Sequence, residues 1–165
     1  MVGRTVSTGL RTLTRDPLTR TQAAHFVLES LTAINWVAVA AATVALYLLG
    51  GLWYSPALFG PSWRAGVGFA PPHGWKPRRL LYLAPLASCF VVTVATALLV
   101  TFADAHSATD GVALGLIVGL GYGAAIAGVD ATAPSHPRPG TLALIVGTYW
   151  TLGLTMVAVI LSAWR

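Results

Sequence analysis

Between Ile34 and Trp63 the sequence INWVAVAAATVALYLLGGLWYSPALFGPSW carries no charged residue. The 21 residues from Ile34 to Tyr54 alone extend about 30 Å as a helix at ~1.5 Å per residue, which is the thickness of a hydrocarbon core. The stretch is therefore predicted to be a transmembrane helix, and its edges agree. Trp36 lies near one end and Trp53-Tyr54 near the other, where amphipathic rings favour the headgroup level, and Ser55-Pro56 supplies a stop. On a helical wheel Tyr47, Gly51 and Tyr54 share a face, so two phenols flank a notch where another backbone is expected to approach.

Three more uncharged runs have the same character. Spans are predicted over about 34–54, 80–103, 111–129 and 141–164, giving an all-α membrane protein with four transmembrane helices in one small bundle. Composition supports this. The chain is 56% hydrophobic and 9% charged, with a mean hydropathy of +0.72, whereas soluble domains are roughly 25% charged. Residues 31–165 form the predicted membrane domain. Residues 1–30 are read as a flexible or interfacial tail rich in Arg and Thr, with a short helix expected over 21–31.

Ten basic against five acidic residues give a net charge of +5. In a soluble protein that balance would suggest nucleic acid, but here the cations sit in tails and loops beside apolar spans, which excludes that class and points to a lipid bilayer as partner. The first loop, residues 60–79, mixes Trp63 and Trp75 with Arg64, Lys76, Arg78 and Arg79 and is expected to lie on the headgroups. Cys89, a single cysteine inside an apolar run, reads as a structural thiol.

The third span carries a packing pattern. Gly111, Gly115, Gly119, Gly123 and Ala127 recur every four residues, and in lipid such a row marks where a second backbone packs by dispersion contacts. A contact within the bundle is expected, with a homo-oligomer seam as the alternative. Asp110 is expected to be the N-cap of this helix. Thr93 and Thr96 of the second span are expected to bond back to their own helix carbonyls. Asn35, Trp53, Tyr54, Asp130 and Arg138 are candidate interfacial polar residues, with Asp130 at a helix C-terminus expected to pair with Arg138.

The order Asn35-Trp36, then Gly50-Gly51-Leu52-Trp53-Tyr54-Ser55-Pro56, then Phe59-Gly60 and Trp63 resembles a family of small bacterial membrane proteins catalogued as domain of unknown function 1761. The Gly-rich third span, Arg138-Pro139 and Tyr149 extend the likeness, which covers roughly residues 33–164. It implies a fold and a bacterial cell-membrane location and brings no established activity.

No paired carboxylates, triad, phosphate loop or metal cluster is legible, so the sequence points to no catalytic residue, no cofactor and no metal site. The first functional expectation is a non-catalytic accessory or assembly subunit, presenting a packed helix surface and a basic face to a membrane protein partner or to a second copy of itself. The alternative is an enzyme or carrier for a small lipophilic molecule, quinone-like or polyketide-like, held in a pocket by the phenols of Tyr47, Tyr122 and Tyr149. Cations close to the spans place the first and third loops in the cytoplasm.

Overall fold

The computed structural model of the protein describes His25 and residues 28–164, and divides the chain at Ala33/Ile34 into two compact units. In the first unit residues 28–33 are helical, and the Thr32 hydroxyl donates to the Glu29 carbonyl at 2.7 Å. The rest of the expected helix over 21–31, apart from His25, and most of the tail lie outside the described residues.

The second unit is all-helical over its described residues. Helix α1 spans Trp36–Trp53, α2 Gly60–Val67, α3 Leu80–Phe102, α4 Ala108–Val118, α5 Ala125–Ala131 and α6 Pro139–Ala163. A π-helical segment, Gly119–Ala124, joins α4 to α5. The third span is therefore one run from Ala108 to Ala131, and with α1, α3 and α6 it makes four helices long and apolar enough to cross a bilayer. That is the architecture of a multi-pass membrane protein.

Local chemistry sets the helix ends. Asn35 caps α1, its Oδ1 accepting from the amides of Val37 and Ala38 at 3.1 Å each. The third span starts earlier than expected because its N-cap is Ser107, not Asp110. Ser107 Oγ accepts from the Asp110 amide at 3.1 Å while Asp110 accepts from the Ser107 amide at 3.0 Å, a reciprocal capping box that places the carboxylate in the first turn. The first loop also contains a helix. Gly60 lies so close to the carbonyls of Tyr54 and Ser55 that no Cβ fits, Pro61 opens the first turn of α2, and Gly68 closes it at φ 72°.

Helix α6 is the centre of the bundle: 44% of its apolar window is buried, against 28% for α1 and α3 and 17% for the third span. The third span meets it at four glycines. A Cβ on Gly111 would strike Ser162, Val159 and Ala158; on Gly115, Thr155 and Leu154; on Gly119, the Thr151 Cα at 2.7 Å; and on Gly123, the Trp150 Cβ at 2.7 Å. These pairings run antiparallel along α6, and Ala127 continues the row as a buried residue. At about 100° per residue a four-residue repeat drifts ~40° per step, so this row would wind about 160° around a straight α-helix. The π segment lies inside the row and, by adding a residue to the turn, takes back on the order of 100°. The row thus stays on the side facing α6.

On the opposite side of α6, Leu46 of α1 reaches over Gly153, where an added Cβ would meet Leu46 Cδ1 at 2.6 Å. Leu46, Val39 and Ala42 from α1, Thr93 and Val100 from α3, and Val157 and Ala158 from α6 are 0–2% exposed. Lipid leaves little hydrophobic drive between spans, so this close fit and its dispersion contacts hold them together.

Candidate functional site

Tyr149 is the polar side chain around which the interior is arranged. It is 6% exposed, and its hydroxyl lies 3.5 Å from the Leu46 carbonyl, a long contact that contributes little as a hydrogen bond. The ring lies over Gly50 of α1, where an added Cβ would meet Tyr149 Oη at 2.9 Å. From α3 the Cys89 thiol, itself 4% exposed, faces the same hydroxyl. Three helices therefore converge on one phenol.

An aromatic shell encloses it. Tyr54 stands edge-on to Tyr149 with centroids 5.3 Å apart, Trp150 follows at 5.2 Å and Trp53 at 6.4 Å. The shell continues outward, Trp53 meeting Phe59 at 4.6 Å and Tyr54 meeting Trp63 at 5.5 Å. Edge-to-face pairs at these separations add about 0.5–1.5 kcal/mol each beyond their burial. Trp53 Nε1 donates to the Ile145 carbonyl of α6 at 3.1 Å, so the indole satisfies its donor while tying the end of α1 to α6. The run Gly50 to Trp63 thus supplies both the seat for Tyr149 and most of its walls.

The notch of α1 is Gly50, not Gly51: nothing lies within 4 Å of a Cβ on Gly51, because α1 turns its Leu46–Gly50–Trp53 face toward α6. Of the three pocket candidates Tyr149 is buried, Tyr47 is partly exposed and Tyr122 is 65% exposed on the outer side of the π segment. The ring neighbours of Tyr149 are Trp53, Tyr54 and Trp150, so the structure does not gather the three phenols around one space. Tyr149 is met by aromatic rings, backbone and the Cys89 thiol.

Asn35, Trp53 and Tyr54 stand at the ends of α1, and Arg138 at the start of α6. Asp130 is exposed in the last turn of α5 and borders an open groove with Ala125, Ile126 and Val129. Its expected ion pair with Arg138 is not formed; the carboxylate that meets a basic side chain is that of Asp104, whose Oδ1 lies 2.8 Å from His106 Nε2. Six residues of loop separate α5 from Arg138, which is an exposed N-cap flanked by Pro137 and Pro139, with φ −134° and ψ 70°. Among the described residues no three His, Cys, Asp or Glu come together as metal ligands.

Two interior hydroxyls have no partner, one of them against expectation. Thr96 bonds back to the Val92 carbonyl at 2.9 Å, but Thr93, 0% exposed, makes no such bond and has no partner, and Thr43 of α1 is in the same state. Sequence spacing carried no signal for this, nor for the meeting of Cys89 with Tyr149, which depends on how three helices are rotated.

No curated protein and no solved structure matches this chain. One family model does match, over residues 37–162, from the start of α1 to the end of α6 and so across the whole Tyr149 cluster: the chain belongs to the family described as protein of unknown function, DUF1761.

Proposed function

We propose that the protein is a non-catalytic accessory or assembly subunit of the bacterial plasma membrane, with its first and third loops on the cytoplasmic side. The observation that carries this reading is the Tyr149 cluster. The one deeply buried phenol is clasped by Trp53, Tyr54 and Trp150 and backed by Gly50, so the ring itself fills the place where a lipophilic ligand would have to sit. The cluster works as a lock between α1, α3 and α6. The Gly111–Ala127 row is read as a second, internal lock on α6, which leaves the outward side of the third span, the least buried of the four, as the surface for another membrane protein or a second copy.

The test is native extraction of the tagged chain from its own membrane into lipid nanodiscs. A discrete complex containing a second membrane protein or a second copy in fixed ratio, unchanged by Tyr149→Phe, is the expected result. A stoichiometric quinone-like or polyketide-like molecule, recovered by solvent extraction and lost in Tyr149→Phe, would overturn the reading in favour of a carrier or enzyme.

A further inference from the structure

The segment between α2 and α3 has a shape and charge that the bundle does not use. Phe69 and Trp75 pack edge-to-face with centroids 5.4 Å apart, closing a short loop through Pro71, Pro72 and Gly74. The Trp75 amide donates to the Pro72 carbonyl at 3.0 Å, the Phe69 amide to the Arg64 carbonyl at 3.0 Å, and Gly74 takes φ 79°. The loop is thus a folded clasp. Both rings stay outside the bundle, Phe69 41% and Trp75 44% exposed, and every residue from Gly68 to Leu83 is exposed.

Cations flank the clasp on both sides: Arg64 in α2 before it, Lys76, Arg78 and Arg79 after it, the last two directly preceding the span α3. From Gly60 to Tyr82 there is no carboxylate, so the protein offers these charges no local partner in sequence. At the same end Gly66 rests on Leu142 and Gly68 on Pro137, which fixes the clasp to the start of α6.

We infer that this clasp is a binding site for anionic phospholipid headgroups. Exposed rings gain most at the boundary between headgroups and acyl chains, and cations held at that depth meet the phosphates. A zwitterionic headgroup would satisfy the rings but not the net charge of four cations. A protein partner with an acidic surface would need no pair of exposed rings beside a span.

The experiment is native mass spectrometry of the purified full chain equilibrated with equal amounts of phosphatidylglycerol and phosphatidylcholine. Because the isolated chain is used, the result is independent of whether the protein is an accessory subunit. Phosphatidylglycerol should be retained in preference. The preference should fall by about fivefold for each of Lys76, Arg78 and Arg79 replaced by Gln, while Arg165→Gln, which follows the last span in sequence, leaves it intact. Trp75→Ala should lower retention of both lipids alike. If the triple variant fails to fold, raising the ionic strength on the native chain is the substitute, and it should release phosphatidylglycerol before phosphatidylcholine. Equal retention of the two lipids, a preference that survives the triple replacement or high salt, or an Arg165→Gln loss as large as that of Arg78→Gln would each overturn the site. So would selectivity that emerges only when an acidic protein is added.

Discussion

Asn35 and Trp164 are joined by a hydrogen bond from the Asn35 side-chain amide to the Trp164 carbonyl at 3.0 Å, across almost the whole length of the chain. The same side chain caps α1 through its other atom. One residue therefore satisfies amides at the start of the first span and a carbonyl just past the end of the last. Replacing it separates the two roles. Asn35→Asp keeps the cap acceptor and loses the donor to Trp164, so it should cost about 1 kcal/mol; Asn35→Ala loses both and should cost about 2 kcal/mol. Thermal unfolding in detergent measures the order, and equal losses for the two variants would mean that the cap contributes nothing.

The glycine row offers a sharper contrast. Gly119 lies against the Thr151 backbone, whereas nothing lies within 4 Å of a Cβ on Gly128, one helix segment later in the same span. Gly119→Leu should push α6 away and lose folded protein in mild detergent, a cost of about 1–3 kcal/mol or more. Gly128→Leu should be tolerated. A well-behaved Gly119→Leu chain with unchanged thermal stability would remove the row from the packing of the bundle.

Helix-forming spans were legible because a bilayer imposes a simple requirement on length and polarity, and the uncharged runs between charged loops meet it directly. Boundaries were legible to within a few residues, failing at Asp110, where Ser107 three residues earlier makes the better cap. Rotation of the helices about their axes was not legible. Placing Gly51 on the packing face and grouping Tyr122 with Tyr149 both assume a facing that only the fit of four helices decides. An apolar helix gives little help here, since nearly every side of α1 is hydrophobic and lipid accepts whichever side the core does not take.

Tyr149 separates packing from chemistry. Its hydroxyl has a 3.5 Å contact with the Leu46 carbonyl and a weakly bonding thiol, Cys89, beside it, so Tyr149→Phe should change stability by less than about 1 kcal/mol. Removing the ring is different. Tyr149→Ala would leave a void over Gly50 between Trp53, Tyr54 and Trp150 and should cost about 3–5 kcal/mol. Unfolding midpoints of the two variants decide between a packing role and a hydroxyl role: a Phe variant as damaged as the Ala variant would show that the hydroxyl matters more than the ring.

Orientation in the membrane follows from which cations lie near the spans. Counted over the whole chain the two sides tie: Arg4, Arg11, Arg15, Arg20 and Arg165 on one, Arg64, Lys76, Arg78, Arg79 and Arg138 on the other. Topology responds to charges within about 15–20 residues of a span, which removes Arg4 and Arg11 and leaves three against five. The first and third loops are therefore expected in the cytoplasm, and both chain termini outside. Four of the five cations belong to the first loop, so the headgroup clasp would face the leaflet whose anionic lipids attract it, and Trp53, Tyr54 and Arg138 would gather at that side. Asn35 and the Asp104–His106 pair would lie at the other. Fusing a reporter that is active only in the periplasm after Arg165, and in a second version into the first loop, measures this directly. The C-terminal fusion should be active and the loop fusion silent, and the opposite pattern would invert the whole assignment, moving the clasp to the outer leaflet.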